Sequence, residues 1–380
     1  MLCHATTISD CGSVRIGNCL VDGLHTDELG VAIRLFVNST NVDPKKDQKK
    51  MKAPRTHLHA EMVQKRRNPT KSPKVKVEQA LETLASGDSL AVEALMARED
   101  DTPVPEEWQR RYKADARTYW DHFYREKTIN FFKDRHYLRE EFAELMPPEV
   151  LDDPHRWVDE LECDKDPPQT PQSLELAMKG RTVLLELGCA VGNGVLPLLR
   201  ANHELFAIAC DLSPVAVSFL KQKPEYNCGR CLAFPSDIAR GANEQPTSEH
   251  VALEVMVPPA SVDFTTLLFV LSAIDPALHR DMLRRVGSRL RTGGVVLVRD
   301  YGRGDLAQLR FAHGHWLGGD LYVRGDGTLS LFFTTDGLKA VFEAAGFETI
   351  ECAYRHNEIV NRGTGVRMPR IWVQGRFRRV

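Results

Sequence analysis

Val183-Leu-Leu-Glu-Leu-Gly-Cys-Ala-Val-Gly-Asn-Gly194 decides the fold, because an apolar strand here runs into a turn with glycines at 188 and 192 and then into a helical stretch. Strands that are apolar on both faces and alternate with helices indicate a parallel sheet covered on both sides. Outward from this turn the pattern repeats: Thr182–Leu187, Leu205–Cys210, Val262–Leu268 and Val295–Val298 read as strands, Pro214–Gln222 and Pro276–Leu290 as helices. Further on, Ser330–Phe333, Glu348–Tyr354 and Ile371–Phe377 read as strands, with a helix from Asp336 to Ala345 ended by Gly346. Two such strands in succession predict an antiparallel pair at one edge of an otherwise parallel α/β sheet spanning 172–380.

In an open parallel sheet, the turn at the carboxyl end of the first strand is where ligands bind. Gly188 and Gly192 let backbone approach a ligand and permit positive φ. A dinucleotide fingerprint begun at Gly188 needs glycines at 190 and 193, and the chain has Ala190 and Asn193 there. Glu186, just before the turn, would repel a pyrophosphate and suits a cationic aminoacyl group, which favours S-adenosylmethionine. Asp211 ends the second strand nineteen residues beyond Gly192, where a carboxylate can accept both ribose hydroxyls. Asp237, at the end of the short third strand, is placed for the adenine amino group, with Ile238 beside the ring. Each Asp alone is more often a cap or turn residue, and Asp211 before Ser213-Pro214 is well placed to cap a helix. Three acids at three successive strand ends, with the glycine turn, point to a Rossmann-like class I methyltransferase fold. At the end of the fifth strand Arg299-Asp300 reads either as an internal ion pair or as groups beside the cofactor that orient a base.

The chain has 380 residues, 42% apolar and 27% charged, enough for two domains or one enlarged one. Its formal net charge of −2 hides a strong asymmetry. Between Lys45 and Lys76 twelve basic residues face only Asp47 and Glu61, so this stretch carries +10 and the remainder −12. With four prolines from Asn41 to Pro73, 41–76 reads as a basic disordered arm, either a solvated linker or import signal or a phosphate-binding arm. Residues 1–40 resist assignment. Residues 77–171 turn helical and include a segment, 105–141, in which aromatics at 108, 112, 119, 120, 123, 124, 131, 132 and 137 alternate with Arg and Lys. These rings either pack a helix on a core or, with the guanidinium groups, stack unpaired bases and neutralise phosphates. Nine irregularly spaced cysteines and the lack of a leader predict a reduced compartment, cytoplasmic or nuclear. Cys228-Gly-Arg-Cys231 is half a metal site with no second half nearby, so no metal is expected. No apolar run approaches a membrane span.

With these residues in hand, the chain resembles the tRNA 3-methylcytidine methyltransferases from about Tyr119 to Phe377. The likeness runs through Tyr119-Trp-Asp-His-Phe-Tyr124, Asn130-Phe-Phe-Lys-Asp-Arg-His136, Gly188-Cys-Ala-Val-Gly-Asn193, Ala209-Cys-Asp-Leu-Ser-Pro214, Phe269-Val-Leu-Ser-Ala273, Arg299-Asp-Tyr-Gly302, Tyr322-Val-Arg-Gly-Asp-Gly-Thr328 and Val360-Asn361 with Pro369-Arg370. Asn130–His136 and Arg299–Gly302 are its most specific parts. The resemblance implies methyl transfer from S-adenosylmethionine to N3 of a cytidine in the tRNA anticodon loop, usually position 32. It implies that Trp120 and Tyr124 fold over a cofactor held by Glu186, Gly188, Ala190, Gly192, Asp211, Asp237, Ile238 and Leu268. Within its motifs, Lys133, Arg135, His136, Arg324 and Arg370 are the expected RNA contacts, and Asp300 with Arg299 the expected catalytic pair. Ala190 departs from the family, which usually has glycine there.

Chemistry suits this reading. N3 of neutral cytosine offers an in-plane lone pair and carries no proton, so catalysis should consist of positioning and electrostatics. N3 is occupied in a Watson–Crick pair, which demands an unpaired or flipped base. The rival readings are a catalytically weak or inactive methyltransferase fold serving as an RNA-binding scaffold, and a protein or small-molecule methyltransferase. An aminoacyl-tRNA synthetase or another protein is a candidate partner.

Overall fold

The structure is a computed structural model and describes residues 14–16, 19–21, 80, 82, 102–152, 166–168, 171–226, 229–244, 247–360 and 367–380. The arm at 41–76, most of 1–40 and of 77–101, part of the linker at 164–171, and Cys228 lie outside the described residues. Two three-residue strands, β1 (Val14–Ile16) and β2 (Cys19–Val21), pair antiparallel.

Five strands form the parallel part of the main sheet: β3 (Thr182–Leu187), β4 (Leu205–Asp211), β5 (Cys231–Pro235), β6 (Val262–Leu268) and β7 (Leu290–Tyr301). Three short strands, β8 (Trp316–Gly318), β9 (Leu321–Val323) and β10 (Leu329–Leu331), make a separate antiparallel sheet. The long pair β11 (Phe347–Val360) and β12 (Arg367–Arg379) then completes the main sheet in the order β11-β12-β7-β6-β3-β4-β5, with β12 antiparallel to both neighbours. The expected mostly parallel sheet with an antiparallel edge is therefore present.

Side-chain alternation along β3 explains the unbroken apolar runs. Leu185 and Leu187 join one core with Ile208, Phe234 and Val296, while Leu184 joins the other with Ala207, Ala209 and Leu198. Both faces are covered, so every residue of β4 is buried. β3 lies between β4 and β6, and chain crossing away from it in both directions opens a crevice at the carboxyl ends of these strands.

The helices that shape this crevice are α1 (Glu106–Ala114), α2 (Ala116–Lys127), α3 (Val195–Ala201) after the glycine turn, α4 (Pro214–Lys221) after β4, and α5 (His279–Arg289) and α6 (Thr335–Ala344) on the far face. α4 starts where its sequence says it should: the Ser213 hydroxyl accepts from Ala216 N–H at 3.3 Å and Pro214 supplies a pre-set φ.

Three expectations change. Pro276–Leu290 is not one helix, because Asp275 caps a separate 3-10 turn at Pro276–Leu278 before α5 begins. The strand expected at 330–333 belongs to the small sheet rather than the main one. The helical reading of 105–141 stops at Thr128, whose φ of 55° ends α2 and turns 131–137 into an irregular segment. Among the described residues, no helix is long and apolar enough to cross a membrane.

Candidate active site

The glycine turn carries three consecutive constraints. Gly188 has φ 68°, and a Cβ there would collide with Val270. Gly192 has φ 88°, and its Cβ would strike Leu220 of α4 at 2.5 Å, so it serves helix packing. Ala190 also stands in the left-handed region, at φ 51°. That is the conformation for which glycine is the ordinary residue, and it accounts for the departure at this position having a cost. The methyl group is not idle: it packs with Trp120, Phe123, Tyr124, Val191 and Ala216.

Asp211 holds the turn from below. Its Oδ2 accepts from Ala190 N–H at 2.8 Å and its Oδ1 from Ser213 N–H at 2.9 Å, so it braces the start of α4 without being its cap. Burial pushes its carboxyl up to about 6, against the pull of those two amides. Glu186 is buried beneath Gly194, with Oε2 lacking a hydrogen-bond partner, and burial pushes it up to about 7. Asp237 is raised too, chiefly by burial, and pairs with Arg240 at 3.1 Å.

One cleft gathers much of the expected set. Trp120, Tyr124, Gly188, Asp211, Asp237 and Ile238 line it together with Lys113, Arg117, Phe269, Val270 and Asp275. Glu186, Ala190, Gly192 and Leu268 stand behind that lining and shape it. The aromatic segment sorts by helix face. Trp108, Tyr112 and Tyr119 pack on β8–β10, whereas Trp120, Phe123 and Tyr124 face the glycine turn. Core packing and site lining are thus both true of Trp120 and Tyr124, while Phe123 packs behind them. Lys113 spans the cleft to Asp275 at 3.0 Å.

A group with a cationic amine, a ribose and an adenine suits this donor set. The unpartnered buried oxygen of Glu186 is an acceptor for the amine, and a turn where a Cβ at Gly188 has no room keeps the backbone close. Asp211 keeps a second lone pair on each oxygen for hydroxyl donors. S-adenosylmethionine fits these requirements.

Arg299 and Asp300 do not pair with each other. Neighbours on a strand point to opposite faces, and each has its own partners. Arg299, 2% exposed, bonds Gln374, pairs with Glu141 at 2.8 Å and lies between the rings of Tyr137 and Trp372. Its charge is engaged away from the cleft lining, which corrects the catalytic expectation for it: it ties the 138–141 segment to β7 and β12. Asp300 is fully buried, accepting from Ser272 N–H at 3.0 Å and Tyr301 N–H at 2.8 Å, and burial raises it to about 6. It thereby fixes the turn at Leu271–Ala273 that supplies one wall.

The expected RNA contacts also divide. Lys133 and His136 are exposed. Arg135 turns inward: its N–H donates to Asn193 O at 2.8 Å, its guanidinium donates to Leu268 O at 3.2 Å and lies over the Phe269 ring. Asn193 completes that tie by donating to Phe132 O and Asp134 Oδ1. Arg324 and Arg370 flank Tyr301, at 5.3 and 5.8 Å from its ring centre, with Arg370 also bound to buried Asp305. Tyr301 in turn meets Phe269 at 5.1 Å. Sequence reasoning quoted Asp121, Asn193, Ser213, Phe269 and Tyr301 within its motifs but gave none of them a role in the site. Phe269 has φ 62° directly after β6, a local conformation that leaves no mark in an apolar run. Among the described residues no group of His, Cys, Asp and Glu could hold a metal ion, and Cys231 is buried in β5.

Comparison with known proteins gives three findings. A family model described as a methyltransferase domain matches residues 134–352. The tRNA N(3)-cytidine methyltransferase METTL2 of Danio rerio is 39% identical over 303 residues, covering 74% of this chain and 79% of that protein. The tRNA N(3)-cytidine methyltransferase METTL6 of Mus musculus is 41% identical over 271 residues, covering 71% of this chain and 83% of that one.

Proposed function

The chain belongs to the tRNA N(3)-cytidine methyltransferases, and from that premise we propose that it transfers a methyl group from S-adenosylmethionine to N3 of an anticodon-loop cytidine, at position 32. The observation that carries this reading is the cleft itself, in which Asp211, Asp237, Gly188 and the covering rings Trp120 and Tyr124 lie side by side. Bound S-adenosylmethionine supplies an electrophilic methyl group.

What the protein must do follows from the substrate. N3 carries no proton in neutral cytosine, so no residue has to remove one, and that no histidine stands among the described residues of the cleft lining is no obstacle. Methylation makes the ring cationic and its amino group a stronger donor. Asp300, fully buried behind the Leu271–Ala273 turn and bonded there to Ser272 and Tyr301, is the carboxylate we assign to offset that developing charge through its field across the cleft wall. Phe269 and Tyr301 offer flat surfaces for a base taken out of its stack, and Arg324 and Arg370 beside Tyr301 offer charge to the phosphates. Lys133 and His136 extend that grip on the solvent side. Residues 77–171 thus serve both to cover the cofactor and to hold RNA.

Methyl-labelled S-adenosylmethionine incubated with a tRNA pool tests the reading. Label should enter nucleic acid and be lost when the pool is pretreated with ribonuclease. Asp300→Asn should lower the turnover roughly tenfold or more while cofactor affinity stays near wild type. Label entering protein, or persisting after ribonuclease, would favour the protein or small-molecule methyltransferase instead.

A further inference from the structure

The covering helix α2 carries one charged side chain that is almost fully buried. Asp121, 6% exposed, follows Trp120 and precedes Phe123 and Tyr124, yet it points neither to solvent nor into the cleft lining. Its Oδ1 accepts the hydroxyl proton of Ser213 at 2.5 Å, and its Oδ2 stands 3.7 Å from Arg117. Ser213 is the residue whose N–H donates to Asp211 and whose Oγ caps α4. A single serine therefore joins the carboxylate of the covering helix to the carboxylate at the floor of the cleft.

We propose that Asp121 is a positioning residue for cofactor capture, coupling closure of α2 over the cleft to the charge on Asp211 through Ser213. The inference rests on the cofactor reading of the cleft. A buried acid in an otherwise aromatic stripe costs stability unless it is used, because an apolar residue there would pack without desolvation. Its position makes the use specific. Ser213 Oγ has one proton, donated to Asp121, while its lone pair takes Ala216 N–H, so loss of the acid frees the hydroxyl and unfastens α2 at the point between Trp120 and Tyr124.

The electrostatics run the same way. Asp121 is the like charge that raises the proton affinity of Asp211, added to the larger effect of burial. Other groups face Asp211 from every side: Tyr124 from α2, Glu186 and Cys189 from the glycine turn, and Cys210 from its own strand. Arg117 bears on Asp121 from α2 and His250 from the loops after β5, and His250 is itself faced by Asp237. The amine needs an ionised Glu186 and the ribose hydroxyls an ionised Asp211, so cofactor affinity should fall in two steps as pH drops, first through about 7 and then through about 6, the lower step being the acid limb set by Asp211. Without the negative charge of Asp121, Asp211 should stay ionised to lower pH.

Calorimetry of S-adenosylhomocysteine binding to the full chain between pH 5 and 8 tests this. Asp121→Asn should weaken affinity at pH 7.5 by roughly tenfold and move the acid limb of the affinity profile to lower pH. Ser213→Ala should weaken affinity by a similar factor with no downward move of the limb, since both carboxylates remain. Asp121→Asn with wild-type affinity, or weakened binding with the limb unmoved, overturns the coupling. Should Asp121→Asn fail to fold, Ser213→Ala with undiminished affinity overturns it instead. Wild-type protein that does not bind S-adenosylhomocysteine at any pH overturns the cofactor reading of the cleft as well, an outcome distinct from either of these.

Discussion

Ala190 shows how two small effects decide a departure from pattern. A side chain at φ 51° costs about 1–2 kcal/mol. Its methyl, packed among Trp120, Tyr124 and Ala216, returns about 0.8 kcal/mol, and a glycine would give the unfolded chain more freedom to lose. The terms nearly cancel, so Ala190→Gly should change stability by less than about 1 kcal/mol and leave cofactor affinity within a few-fold; urea unfolding and calorimetry check both. Glu186 makes a sharper statement. Burial raises it to about 7, above its unfolded value near 4, so it contributes stability that is fully present below pH 4 and is lost as pH rises through 7. Glu186→Gln should therefore exceed wild type in the cofactor-free protein by only about 1 kcal/mol at pH 5 and by about 3 kcal/mol at pH 8. Equal differences in unfolding free energy at both pH values would contradict the burial account. The acid at 186 was legible from its place before a glycine turn, but the inward direction of Arg135 was not, because it depends on Asn193 and on the carbonyl of Leu268 across the cleft.

At the scale of elements, the strands read most directly were those buried on both faces. β3 and β6 have the bounds their apolar runs suggest, Thr182–Leu187 and Val262–Leu268. β7, β11 and β12 run well past their apolar centres, since the flanking residues are polar and only partner strands define them. In the small sheet only β10 was read, as Ser330–Phe333, because β8 and β9 are three residues each around glycine turns. Alternation along β7 already separates Arg299 from Asp300, and that simple geometry removes the ion pair between them. α2 is the element on which the site depends most, because it brings Trp120 and Tyr124 over a cleft whose floor belongs to β3 and β4. Trp120→Ala should weaken S-adenosylhomocysteine binding about ten- to hundredfold, equivalent to about 1.4–2.8 kcal/mol. Binding within twofold of wild type would show that α2 packs beside the cofactor without covering it.

For the whole molecule, charge is distributed in a way the fold alone does not require. The methyltransferase sheet and its helices need no stretch of +10 such as 45–76, which precedes the first strand of the main sheet by more than a hundred residues. If three to five cations of that stretch touch phosphate, deleting 41–76 should flatten the slope of log tRNA affinity against log salt by about 2–4 units and leave cofactor affinity unchanged. An unchanged slope would assign the grip on RNA to Lys133, His136, Arg324 and Arg370 alone. The central claim is the reaction itself, and nucleoside mass spectrometry of tRNA from cells lacking the protein tests it most directly. The account predicts loss of 3-methylcytidine at position 32 of a subset of tRNAs, restored by the wild-type chain and not by Asp211→Ala. Position 32 carrying the same 3-methylcytidine in every tRNA with and without the protein would contradict it.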